Sequence, residues 1–432
     1  MNRGISYLWK NNLLAFNKAN TASGKEIDVI DCGTSRDEGN IFHEAKVKIG
    51  ERIWAGDVVL HDKSSDWEDD IRKKKGIYDN VILHITMQND CDALRRHGEA
   101  VEQVEINCPP SLEKEMHEAF DEHSSRLPCC GCISNLENIK LHGILSRLLV
   151  ERIEEKAALI DKTLKTCEER WDETLFKTMV RSFGFGIQSS EFEDYASILN
   201  FQALGKHSDN ITQVEAIFFG QAGLFEEESI PYYYLENAKR STYYNELKRE
   251  YGFLSNKFKL KSKDYRSWGQ GTNTPHTRIA RLASLFYNKN ISISNISACN
   301  TLHELRLLID TPLNGYWYNH TCFGGTETYG NGRMRERQID VIIINAIIPT
   351  LYVYGKHRKD YTLCEKAEDY LHGLKREENS ITRRWEERGV CVSCAADSQA
   401  LIQLERRYCS VNNCINCKFA YHYIKYRLCA TT

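Results

Sequence analysis

Ile53–His61 reads IWAGDVVLH and Asn80–Met87 reads NVILHITM. Both are short runs rich in β-branched and apolar residues, each carries a histidine, and both have the length of a buried strand. Outward from them lie Glu26–Asp31 (EIDVID), Ala45–Ile49 and Val101–Ile106 (VEQVEI), which share the same character. Gly24-Lys25 and Gly50-Glu51 fall where hairpin turns are expected. A first helix is expected around Tyr7–Phe16, and a charged insert, Trp67–Gly76, separates the third and fourth strands as a helix or loop. The N-terminal third therefore reads as β-rich.

The rest of the chain reads as helical. Leu141, Leu145, Leu148, Leu149 and Ile153 recur at helical spacing within Leu141–Leu164. Further helices are expected at Asp172–Ser182, Ile211–Leu224, Tyr244–Phe253, Thr277–Tyr287, Ile339–Tyr354, Ala367–Lys375 and Ala396–Arg407. The segment from Leu127 to Cys132 (LPCCGC) is the expected junction. The expected fold class is α+β: a β-rich domain over residues 1–135, PD-(D/E)XK-like in its implied form, then a larger helical domain over residues 136–432 with a cysteine-rich end.

The chain has 432 residues, enough for two or three domains. A composition of 41% hydrophobic and 27% charged residues is that of a soluble globular protein. The net charge of −3 gives no global basic signal for nucleic acid. Lys257–Lys263 (KFKLKSK) is a local basic run, read first as a solvated segment. Met1–Phe16 lacks the pattern of a secretory signal. Val341–Gly355 (VIIINAIIPTLYVYG) is shorter than a membrane span and carries Asn345 and Pro349, so it reads as a core helix. A cytoplasmic location and no membrane partner are expected. In that reducing compartment sixteen cysteines are thiols or metal ligands rather than disulfides.

Several words in order carry a resemblance: IWAGDVVLHDKSSDW at Ile53–Trp67, YDNVILH at Tyr78–His84, NITQVEAIFFGQAGL at Asn210–Leu224, YWYNH at Tyr316–His320, NAIIPTLYVYG at Asn345–Gly355 and YCSVNNCINC at Tyr408–Cys417. Through them the chain resembles the bacterial domain-of-unknown-function family 2851 over essentially its full length. The resemblance implies a bacterial cytoplasmic protein. It also implies a Pro-Asp pair where this chain has Asn40 and Ile41, and a Glu where it has Val59. An acid in a turn and another on the next strand look like the magnesium site of PD-(D/E)XK nucleases, where two carboxylates hold the ion that activates water. A Lys normally follows that Glu at the spacing where this chain has His61, and the family's His-Gly-His segment is replaced by Asp69-Asp70-Ile71-Arg72.

Ile41 and Val59 cannot bind a cation. The retained polar residues are Asp37, Glu38, His43, Asp57, His61, Asp66 and His84. Asp57 lies two residues before Val59 and shares a strand face with His61. A shifted catalytic site of Asp57, His61 and Asp66 follows as an expectation. The structural reading is that Ser65 or Asp66 caps a helix, Trp67 packs beneath it, and His61 and His84 are hydrogen-bonded core or edge residues.

Six of the sixteen cysteines close the sequence: Cys391, Cys394, Cys409, Cys414, Cys417 and Cys429. Cys409, Cys414 and Cys417 stand in C-x4-C-x2-C spacing, which suits zinc or an iron–sulfur cluster. A fourth ligand is sought in Cys129, Cys394 or Cys429, with Cys391 and Cys132 as further candidates. Asn273 and Arg278 flank an expected helix start, with Thr274 as its cap and Pro275 at its first position, and form a candidate anion or nucleic-acid site. Tyr316–His320 could stack a base or serve as an aromatic wedge. Glu215 on an apolar helix needs a partner, for which Lys206, His207 and Arg278 are candidates.

Two functions follow as expectations. One is a nucleic-acid-processing, nuclease-like protein with a degenerate catalytic site. The other is a non-catalytic binding or scaffold protein with a structural metal site.

Overall fold

The computed structural model describes residues 3–13, 21–35, 40–73, 76, 78–121, 123, 125–129, 133, 136–185, 188–268, 275–288, 291–313, 315–325 and 332–430. Contacts divide the chain into two compact units. One comprises Met1–Leu148, Glu378–Val392 and Ala400–Thr432; the other comprises Leu149–Glu377 and Ser393–Gln399. The cysteine-rich end is thus grouped with the strands, not with the helices that precede it in sequence.

The first unit is built on a five-stranded sheet: β1 (Ile27–Asp31), β2 (Ile41–Ile49), β3 (Arg52–Lys63), β4 (Val81–Gln88) and β5 (Gln103–Glu105), in the spatial order 1-2-3-4-5. The first three strands form an antiparallel meander, and β3, β4 and β5 run parallel. Gly50, at φ +60°, turns β2 into β3 as expected. Gly24 also turns the chain, but before β1, where it returns Ala22 to donate its N–H to the Gln103 carbonyl at 2.8 Å.

A parallel neighbour requires a crossover. Helix α2 (Asp66–Lys73) supplies it between β3 and β4, within the insert that the sequence left as helix or loop. It covers the face carrying Ile41 and Val59, where Val59, Trp67, Tyr78, Val81, Ala93 and Val101 form a buried cluster with Ile41 and Ile71 against it. Helix α1 (Arg3–Lys10) packs its Trp9 edge-on against Phe42, on the other face. It is shorter than the expected Tyr7–Phe16 helix and is followed by Asn12 at φ +50°, a left-handed conformation that stops a helix. Residues 14–20 lie outside the described residues.

The second unit is helical. Helix Ile211–Gln221 is buried on nearly every side, as its mixed apolar sequence requires, and Asn210 caps it by accepting from Gln213 N. The apolar stretch around Val341 belongs to a helix spanning Glu336–Arg358. By length and composition it could cross a membrane, and 67% of its most apolar window is buried within the protein. A π turn at Ile343–Ile347 interrupts it immediately before Pro349. Proline has no N–H to give the preceding turn, and the wider π geometry absorbs that missing bond.

Candidate functional site

The sheet register aligns one row of side chains across four strands. Ile41 opposes Val59, Val59 pairs with His84, and His84 pairs with Gln103. Ile41 and Val59 are the positions where the family resemblance implies acids. Directly opposed residues hold their Cβ atoms about 5 Å apart. Two acids there could share one cation, but two aliphatic side chains cannot. Here they pack into the apolar cluster, and this donor set does not fit magnesium.

Next to that pair the row becomes polar. Gln103 Oε1 accepts from Ala93 N at 3.0 Å, so its amide nitrogen faces His84 Nδ1 at 3.3 Å. An amide N–H there requires His84 Nδ1 to be the acceptor, which leaves its proton on Nε2. His84 Nε2 lies 3.0 Å from His61 Nδ1, so the next bond runs from His84 to His61. A neutral His61 then carries its proton on Nε2, directed at Asp70 Oδ2 at 3.4 Å, and the Asn40 side-chain nitrogen, itself a donor, gives its hydrogen to the same Asp70 oxygen at 3.3 Å. Tyr78 OH donates to the same Asp70 oxygen at 2.8 Å. The donors run inward to outward, from buried Gln103 to half-buried Asp70.

Burial is the main cause that lowers the His84 pKa to about 3, and the neighbouring His61 adds to it. Trp67 covers the His84 ring at 4.9 Å. The Tyr78 hydroxyl is pushed up, first by burial and then by the Asp70 carboxylate. The chemistry available is that of a neutral imidazole held in one tautomer and orientation by a chain of hydrogen bonds.

The three expected catalytic residues keep separate company. Asp57 Oδ1 lies 3.3 Å from His43 Nδ1 and 3.4 Å from Glu44 N. That contact sits at a bulge in β2, where Glu44 takes φ +60°. Gly56 allows the close strand approach beside it, since a Cβ there would meet Ile82 Cγ2 at 2.5 Å. Asp66 accepts from Lys63 N, at the end of β3, at 3.3 Å, Ser65 donates to Asp90, and Trp67 is buried beneath the helix. His61 alone joins the relay. Asp37 and Glu38 lie outside the described residues.

Sequence reasoning missed Asp70, Asn40, Tyr78 and Gln103. The available signal was helical spacing: Asp70 and Ile71 stand three and four residues after Trp67, so they share its inward face.

The terminal cysteines occupy a second place in the same unit. Cys409 ends a π turn, Glu405–Cys409. Asn413 N donates to Tyr408 O at 2.8 Å, which folds Cys414 back beside Cys409. Cys417 N donates to Cys414 O at 3.0 Å, closing a single turn between them. Cys414 and Cys417 are buried. Burial pushes the Cys409 thiol up to about 12, and Cys417 and Glu405 add to the rise. Burial pushes the Cys414 thiol up as well, and the Leu127 N–H and the Arg126 charge act against that rise, as Arg126 does at Cys409. Buried Cys129 follows two residues after Leu127.

The other fourth-ligand candidates sit elsewhere. Cys429 ends the helix Lys418–Cys429 that Cys417 caps, about 18 Å along its axis. Cys394 belongs to the other unit, with its sulfur 3.5 Å from Asp397 Oδ2. Cys391 is exposed, and Cys132 lies outside the described residues. Among the described residues no three ligand-type side chains already converge as a metal-holding group.

In the second unit, Arg278 donates to the Phe183 carbonyl at 3.2 Å and to Gln188 Oε1, and lies over the Phe192 ring. Those contacts tie helix His276–Tyr287 to the residue that ends helix Trp171–Ser182 and to the start of helix Ser189–Ile198. Asn273 and Thr274 lie outside the described residues, and Pro275 precedes the helix rather than beginning it. The partner of Glu215 is Tyr243, whose hydroxyl donates to it at 2.8 Å and receives Trp317 Nε1–H at 2.7 Å. Burial raises Glu215 to about 7, against which the Tyr243 bond acts. Tyr316 stacks between Tyr243 and His320, so the YWYNH word is largely spent on internal stacking.

A family model described as a protein of unknown function, DUF2851, matches residues 3–380. The chain belongs to that family. No curated protein matches it, and no solved structure does. The matched span includes the sheet, the histidine relay and the aromatic nest around Glu215, and it stops before Cys391.

Proposed function

We propose that the sheet-bearing unit is a nucleic-acid-binding module on a PD-(D/E)XK nuclease frame, in a copy that no longer cleaves with magnesium. The observation that carries this reading is the register pair Ile41–Val59. Two positions eighteen residues apart in sequence, each implied to be acidic in the family, stand directly opposite one another. An antiparallel meander passing through a helix into parallel strands is also the type of frame on which such nucleases mount their acids. Loss of the acids removes the ion that would activate water, while a groove able to follow a phosphate backbone need not be lost with it.

The test is fluorescence anisotropy of the full chain with labelled single-stranded and double-stranded DNA and RNA, at rising salt, beside a cleavage assay with magnesium. The expected result is binding to at least one of these that weakens steeply with salt, without cleavage. Failure to bind any of them sinks the reading. Magnesium-dependent cleavage by the wild-type chain would overturn the loss of catalysis.

A second reading has its own observation. The apolar side chains at Ile41 and Val59 are packed into the core, as in a scaffold that never used a cation. It predicts no metal binding or cleavage in the Ile41→Asp, Val59→Glu double variant.

A further inference from the structure

The basic run Lys257–Lys263 (KFKLKSK) lies in the helical unit, and it is not a loose solvated segment. Its first two residues end the helix Thr242–Phe258, and Lys259 at φ +53° turns the chain out of it. The stretch that follows is tied to helix Ile211–Gln221. Lys263 N donates to the Gln221 carbonyl at 2.8 Å, and Gln221 Nε2 donates to the Lys261 carbonyl at 3.1 Å. The hydroxyls of Tyr251 and Ser262 share a hydrogen bond at 2.6 Å. The backbone is thus fixed, while the side chains of Lys257, Lys259 and Lys261 are exposed.

A second segment joins them. Lys206 ends the helix Phe201–Lys206, and its ammonium lies 5.5 Å from the centre of the Phe258 ring. The Lys257 ammonium lies 5.0 Å from the same ring centre, and His207 meets that ring edge-on at 5.6 Å. Phe258 therefore gathers lysines from two segments onto one surface. Phe253, one turn before Lys257, is 64% exposed, and the Lys257 ammonium lies 6.0 Å from its ring centre. Lys206, Lys257, Lys259 and Lys261 have no acidic partner among the described residues, whereas Lys263 is paired with Asp194. Glu250 is engaged by Gln213, and Asp264 by Arg266 N. Exposed Asp209, three residues after Lys206, offsets at most one of the four charges. Lysines in a last turn complement the helix dipole, which accounts for Lys206 and Lys257. It does not account for Lys259 and Lys261, which lie beyond the helix, or for an exposed phenyl ring beside them.

We propose that this face of the helical unit, formed by Phe253 with Lys206, Lys257, Lys259 and Lys261, is a docking surface for single-stranded nucleic acid. Ammonium groups without acidic partners take phosphates, and an exposed aromatic face takes an unstacked base. A duplex keeps its bases stacked away from such a ring, so the pairing favours a single strand. The net charge of −3 makes this a local complement to a polyanion rather than a general basicity. The surface belongs to the helical unit and does not depend on the function proposed for the sheet-bearing unit.

The experiment is fluorescence anisotropy of the full chain with a labelled oligothymidylate across a salt series. Wild type should bind. The triple variant Lys257→Gln, Lys259→Gln, Lys261→Gln should bind roughly tenfold more weakly at low salt, and the slope of log affinity against log salt should fall by about 2. Phe253→Ala should weaken binding about fivefold or more and leave the slope unchanged. If the triple variant fails to fold, Lys206→Gln on the other segment reads the same surface, with a fall in slope of about 0.7. Equal affinity and slope in wild type and the triple variant would overturn the proposal. So would a loss confined to Lys46→Gln, Lys48→Gln, exposed lysines of β2, which would place the contact in the sheet-bearing unit. Polyglutamate bound as tightly as the oligonucleotide, with Phe253→Ala affecting neither, would replace nucleic acid with an acidic protein partner and overturn it too, as would wild type that binds no oligonucleotide.

Discussion

His84 in the sheet-bearing unit and His276 in the helical unit are both buried, and burial lowers both to a pKa of about 3. Their surroundings differ. His84 is bonded on both sides, to Gln103 and to His61. Neither ring nitrogen of His276 has a hydrogen-bond partner among the described residues, and its neighbours are Phe219, Trp317 and Phe323. Equal burial therefore has opposite meanings. At His84 the imidazole completes a polar network whose other members depend on it. At His276 two polar atoms lie within an aromatic nest that gives nothing back.

The comparison is tested most severely by making one substitution at both positions. His84→Leu should cost about 3 kcal/mol, because it takes away the donor to the buried His61 Nδ1, while Gln103 keeps only its bonds to Ala93, Cys91 and Asn89. The loss would be read from the denaturation midpoint of the sheet-bearing unit. A neutral outcome would mean that the relay is dispensable.

Glu215 sharpens the contrast from the acidic side. Its folded pKa, about 7, lies above the ordinary 4.5, so the fold favours the protonated carboxyl. The unit is thus most stable below about pH 4.5 with respect to this group, and loses that stability as pH rises through 7. Glu215→Gln keeps the oxygen that Tyr243 bonds and removes the charge. It should stabilise by about 2–3 kcal/mol at pH 8 and by nothing at pH 4, as measured by thermal melts across that range.

His276→Leu should stabilise by about 1 kcal/mol at neutral pH, since it replaces unsatisfied atoms with apolar ones. The histidines titrate in the opposite sense to Glu215. Their folded pKa values lie below the ordinary 6.5, so their contribution is present above pH 6.5 and is lost as pH falls toward 3. The leucine variant should accordingly show a shallower acid limb than wild type. A melting temperature that falls at pH 7 would show that His276 has a partner in solution. The smallest effect is expected at Tyr78→Phe. It removes one bond to Asp70, which keeps the His61 and Asn40 contacts, and should cost about 1 kcal/mol or less in the same denaturation measurement.

Much of the fold was legible because strand and helix periodicities are local. EIDVID, IWAGDVVLH and NVILHITM each became a strand within a few residues of the expected ends. The long apolar stretch became a helix whose interruption follows from Pro349. The candidate site was legible only in part. His61 and His84 stood out as histidines in strands, but nothing in the linear order joined them to Asn40, Asp70 or Gln103. Asp57 and Asp66 seemed equal partners of His61 because they lie close in sequence. A bulge sends the first toward His43, and the second turns back to the Lys63 N–H at the end of β3.

By itself the sequence determined the class of the fold, the aliphatic identity of Ile41 and Val59, and the spacing of the terminal cysteines, because residue identity and short-range periodicity suffice for each. Only the tertiary structure decided that Ile41 faces Val59, that His84 hands its hydrogen bond to His61, and that the cysteine turn belongs with the strands. Register and long-range grouping arise when distant segments share a face or a core, and that information resides in pairs of residues rather than in any one stretch of chain.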